Sequence, residues 1–211
     1  MHSSIPIAAL ITTAFALPKI PFLATTDTIP LPSGPVSLTS RQSTACFIIG
    51  STPLPAEVSD VVTTLTNLIT CSTSATTLSG VPDVTSGSTS FSSIDFTQPT
   101  QSTQQTPLEF ALANFNTSDP VSDSDLAFFQ DALNVYLATE AGIRSVGGDL
   151  AIKVPKFFLE MQVSRIETAQ GDAPTEAGLQ VDHLRDKVIK NAAGEDQGLL
   201  DQVTALAAQV Q

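Results

Sequence analysis

Positive charge is scarce in this chain. Nine Lys and Arg stand against 21 Asp and Glu in 211 residues, giving a net charge of −12 and a pI of about 4.2. Apart from Lys19 and Arg41, every basic residue lies at or beyond Arg144, so residues 42–143 carry none. Nucleic acid and anionic membranes both select clustered Lys and Arg, and the composition excludes them as expected partners. Charge of either sign is low, at 14% of residues, against roughly 25% in typical soluble domains. Surface polarity must therefore come largely from Ser, Thr, Gln and Asn.

Metal-ligating and nucleophilic residues are equally sparse. Cys46 and Cys71 are the only cysteines and His183 is the only histidine beyond His2. A lone cysteine pair does not make a structural zinc site, which takes four ligands. His183 falls beside Asp182, Arg185 and Asp186 and reads as solvated. Gln180-x-x-His183 puts glutamine where di-iron bundles carry Glu-x-x-His, and there is no second copy. No metal or cofactor is expected. A Gly-x-Ser-x-Gly elbow is absent, so no catalytic residue is assigned.

Long hydrophobic runs are also lacking. The run Ile5–Leu17, broken by Thr12 and Thr13, is shorter than the roughly 17 to 25 residues of a spanning helix. It ends in Ala14-Phe15-Ala16, a small-x-small cleavage pattern, so residues 1–16 read as a secretory signal and no integral span is expected after its removal. Residues 17–44, with Pro18, Pro21, Pro30, Pro32 and Pro35, read as an extended arm or propeptide.

What is present predicts an all-α protein. Residues 45–71 form a short apolar run followed by a helix with Val58, Val61, Val62, Leu65, Leu68 and Ile69 on one face. In a secreted chain, Cys46 and Cys71 most simply form one disulfide, the alternative being two free buried thiols. A helix ending near Cys71 would be about 24 Å long at 1.5 Å per residue, and the preceding extended residues reach about 27 Å. The run can therefore lie back along its own helix.

Residues 72–105 read as a Ser/Thr-rich linker, open to O-glycosylation. Alternatively, Phe91, Ile94 and Phe96 pin this tract against a helical domain.

Residues 106–211 read as a four- to five-helix bundle. Thr106-Pro107-Leu108-Glu109 combines three helix-start signals, and a second capping box is read at Ser122-x-x-Asp125. Between them lies the sequon Asn116-Thr117-Ser118, on a turn where N-glycosylation is expected. The stretch Leu150–Ile166, apolar on more than one side, is taken as the central helix, with Pro155 in its first turn or kinking it. Glu140, Glu160 and Glu167 read as surface charges. Arg165 on the same helix is either a second solvent edge or a buried cation paired with Asp131 or Glu140.

Signal, Ser/Thr/Pro tracts and a low-charge acidic surface together resemble the small secreted and cell-wall-associated proteins of filamentous fungi. That resemblance, which is compositional, implies a non-enzymatic protein binding a cell-wall polymer, a hydrophobic surface or a host partner. A second reading is a carrier of an apolar ligand or lipid, with Phe128, Phe129, Phe157, Phe158 and Met161 lining a pocket; the same residues also suit plain core. A secreted hydrolase is third.

Overall fold

The computed structural model describes residues 45–101 and 105–210, so the expected signal and arm lie outside the described residues. Helix α1 (Ala56–Leu65) leads into strand β1 (Ile69–Thr76), which is followed by β2 (Pro82–Ser86) and β3 (Thr89–Ser90). Two short helices, α2 (Phe91–Ile94) and α3 (Gln98–Gln101), precede α4 (Pro107–Asn114), α5 (Leu126–Ser145), α6 (Val154–Ala169), α7 (Val181–Asn191) and α8 (Gln197–Ala207).

The sheet overturns the all-α expectation. It is antiparallel in the order β1-β2-β3, with Cys71 opposite Val84 and Ile69 opposite Ser86. It is built from the Ser/Thr-rich tract that reads as a linker. That tract folds because its larger apolar residues are used: Val81, Val84, Phe91 and Phe96 are buried, and Leu78 and Ile94 pack against them in part. They enter the same core as Phe47, Leu65, Phe110, Phe158 and Val203, so the helical half and the tract share one core. Phe96 stands at its aromatic centre, its ring 5.3 Å from Tyr136, 5.6 Å from Phe91, 6.0 Å from Phe115 and 6.2 Å from Phe110. These rings meet tilted or edge-to-face, except Phe115, which stacks on Phe96.

The β2–β3 hairpin turns on Gly87, whose φ of 52° suits glycine. A Cβ at this position would also lie 2.1 Å from an Asp131 carboxylate oxygen.

Helix α1 ends at Leu65, so Cys71 lies in β1 and not at a helix end. The predicted Cys46–Cys71 disulfide is present, with the Cα atoms 6.0 Å apart. The start signals at Thr106 are present as a capping box, with Pro107 in the first turn of α4. The second capping box is displaced. Val121–Asp123 forms a 3-10 turn, and Asp125 itself caps α5 by accepting from the Phe128 amide at 3.3 Å. Pro155 sits in the first turn of α6, whose preceding residues are non-helical, so no kink results.

Helix α6 is the central helix of the helical half, packing against α4, α5 and α7, and α5 links it to the sheet, α1 and α2. Helix α5 touches all three strands, α1, α2 and α6, and α6 passes the contacts on to α7 and α7 to α8. Small residues make this possible. Ala132, Ala138, Ala141 and Gly142 let neighbours approach on several sides. At its C-terminal end the Ser145 hydroxyl accepts from the Ile49 and Gly50 amides at 3.2 and 3.0 Å, and the Ser145 carbonyl accepts from Thr52 at 2.9 Å.

Candidate functional site

Ionisable side chains concentrate where α5, α6 and α7 meet. Glu140 of α5 is 6% exposed, a burial that a carboxylate tolerates only with partners. One of its oxygens is 3.4 Å from Arg144 and the other 3.5 Å from Lys156 of α6. Arg144 also donates to Asp149 at 2.7 Å. Reading Glu140 as a surface charge is thereby corrected.

One turn beyond Lys156, Glu160 is half-buried. Burial pushes its carboxyl up to about 6; Glu140 adds to the shift, while Lys156 and Lys187 oppose it. The two lysine ammonium groups lie 5.6 and 5.3 Å from the centre of the Phe157 ring. Below them the Tyr136 hydroxyl donates to the Ile152 carbonyl at 2.7 Å, and burial, reinforced by Glu140, raises its phenol so that it remains a donor. The cluster can hold or release a proton at Glu160. Its other charges are taken up by one another.

Arg165 is 0% exposed, which selects the buried alternative, but neither Asp131 nor Glu140 is its partner. Its Nε and Nη2 donate to the Gln209 carbonyl at 3.2 and 2.9 Å, and Nη1 donates to the Thr117 hydroxyl at 3.4 Å and to Gln162 Oε1. Gln162 in turn donates to the Phe115 carbonyl at 2.7 Å. Among the described residues the acceptors around this cation are neutral, and burial lowers its guanidinium to about 10. Asp131 instead accepts from Ser86 at 2.6 Å, bonding α5 to the sheet, while Glu140 pairs with Lys156 and Arg144. The physical reason is placement: Arg165 faces the loop after α4 and the end of α8, not the α5 acids. It acts as a clamp joining these elements.

The proposed pocket aromatics are dispersed. Phe129, Phe158 and Met161 lie in the core, Phe128 is 38% exposed, and Phe157 is half-buried near the two lysines. His183 is exposed. Among the described residues no group of three or more His, Cys, Asp and Glu gathers to hold a metal. Asn116 of the sequon is exposed, its amide donating to the Ala113 carbonyl at 3.2 Å.

One concave feature was not anticipated. An open trough of about 640 Å³ is lined by Gln98 of α3, Gln105, Glu109, Leu112 and Ala113 in and just before α4, and Leu199 and Gln202 of α8. The i, i+3 and i, i+4 spacings put Glu109, Leu112 and Ala113 on one face of α4, and Leu199 and Gln202 on one face of α8. At the N-terminus of α4, Glu195 from the α7–α8 connection accepts from the Leu108 amide at 3.2 Å. Helical spacing was visible in the sequence, but not that these two faces border one trough.

Fold and surface define a disulfide-bonded α+β protein in which a small antiparallel sheet and a set of helices enclose one core. The chain belongs to the family described as a domain of unknown function, DUF7143, whose family model matches residues 48–211. No curated protein and no solved structure matches the chain significantly.

Proposed function

We propose that this protein is secreted and acts without catalysis, as an interaction protein of a cell wall, another extracellular surface or a host interface. Strand β1 carries this reading. It lies at the sheet edge, bears no charged residue, and exposes Thr70, Thr73, Ser74 and Thr76. Cys71 within it is covalently held to Cys46. A rigid, uncharged strand rich in hydroxyls on a protein of net charge −12 suits contact with neutral hydroxylated polymers. The disulfide suits an oxidising compartment, and the exposed Asn116 suits N-glycosylation. The carrier reading has less support, because Phe158 and Met161 are close-packed core residues.

Expression of the full chain in a secreting host is the test. The reading expects the protein in the medium, oxidised, with a glycan mass on the Asn116 peptide and retention on insoluble wall polymer or a hydrophobic surface. Cytosolic retention with reduced Cys46 and Cys71, or turnover of ester or glycoside substrates without surface retention, overturns it.

A further inference from the structure

We propose that the trough bordered by α4 and α8 binds a segment of neutral polysaccharide. This deepens the surface-interaction reading and rests on it, since it names the ligand class and adds a concave place of contact besides β1. The trough's volume of about 640 Å³ falls within the range of roughly 300 to 1,000 Å³ of small-ligand sites. Its opening to solvent suits the interior of a chain as well as an end.

The lining decides the chemistry. Three primary amides, from Gln98, Gln105 and Gln202, border it, each with two N–H donors and a carbonyl acceptor. Among the described residues the side chains of Gln105 and Gln202 hydrogen-bond to nothing within the protein, although Gln105 is half-buried. Gln98 makes one long bond, 3.4 Å to the Ile94 carbonyl. Glu109 uses one carboxylate oxygen on the Thr106 amide at 2.7 Å and keeps the other as an acceptor. Leu112, Ala113 and Leu199 supply apolar surface between these groups.

Among the described residues no cation lines the trough and Glu109 is its only charge, so an anionic ligand is repelled. A wholly apolar ligand would desolvate the free amides without pairing them. A pyranose ring meets both demands: its hydroxyl edges exchange hydrogen bonds with amides and a carboxylate, and its C–H faces rest on methyl groups.

The test is amide NMR titration of the full folded protein with hexamers of three neutral glycans, β-1,3-glucan, β-1,4-glucan and chitin. Wild type is compared with Gln105→Ala/Gln202→Ala and with Thr63→Ala at an exposed position of α1. Neither glutamine is an internal partner, and thermal melts check that the fold is kept. The expected result is shifts in α3, α4 and α8 with at least one glycan, affinity read at those amides at least tenfold weaker in the double variant, and no change there in Thr63→Ala. Shifts centred on β1, or equal affinity in the double variant, overturn the trough and leave surface binding standing. So does a response to none of the glycans by a protein that still coprecipitates with wall material or hydrophobic beads, or a response only to a neutral Gly-Ser peptide. Retention on no surface at all overturns both proposals.

Discussion

Glu160 and Arg165 share helix α6, and burial shifts each away from its charged form with opposite signs. Burial lifts the Glu160 carboxyl from its ordinary 4.5 to about 6, so the native state keeps a proton that the unfolded chain has released. Stability linked to that proton is complete below the unfolded value and is lost as pH rises through about 6. Urea midpoints measured from pH 4 to 7 should therefore fall for wild type relative to Glu160→Gln, the two diverging by about 1 to 2 kcal/mol at neutral pH. Parallel curves would assign the pH dependence to other carboxylates. Arg165 holds its charge, because a value near 10 still leaves it protonated at neutral pH. Its removal strands acceptors on Gln162 and Gln209 and opens a void. Arg165→Ala is expected to cost about 3 kcal/mol in urea unfolding, and Arg165→Met, which refills most of the volume, less than half as much. Equal losses in the two variants would mean that the bonds, not the volume, dominate. The sequence posed the question of Arg165 correctly but named the wrong partners. Charge complementarity points to acids, whereas the nearest acceptors turned out to be backbone and amide oxygens, which no composition reveals.

At the scale of elements, α5 shows how close approach outweighs propensity. Alanine is the better helix former by about 1 kcal/mol, yet a Cβ on Gly142 would stand 2.6 Å from the Phe47 carbonyl and 2.7 and 2.8 Å from the Val81 methyls. The Phe47 backbone cannot readily retreat, since its neighbours are tied to Ser145 and to Cys71. Gly142→Ala should thus lower stability by about 1 to 2 kcal/mol in a denaturant titration, despite its propensity gain; a stabilised variant would show that this segment yields. The same helix explains which elements were legible. Helix α4 announces itself through its capping box and Pro107, and the cysteine pair needed only its count. The strands did not, because Ser and Thr fill β1 and its outer positions are solvated. Its strand character comes from pairing with β2 and from the contacts of both strands with α5, a tertiary effect that outweighs local pattern. The large apolar residues of α6 announce its place among α4, α5 and α7, whereas the Ala and Gly of α5 admit the sheet by close approach, which no apolar pattern signals.

For the molecule as a whole, the Cys46–Cys71 bond closes a loop of sequence separation 25 around α1. Chain-entropy arguments put its contribution on the order of 3 kcal/mol. Cys46→Ser/Cys71→Ser should lower the thermal midpoint and loosen α1 and β1 first, seen as faster amide exchange in residues 56–76 than in α5 or α6. Uniformly faster exchange would instead indicate one cooperative unit without a weaker margin. The bond also fixes how the fold would bear tension. A pull applied upstream of Ala45 enters β1 through sulfur and bypasses α1, so that helix is outside the load path and about 80 Å of contour length stays locked. At the other end the Arg165 clamp grips Gln209. Stretched between its ends, the oxidised protein would transmit force through the sheet and α8, with the first helix idle as slack that only a reductant releases.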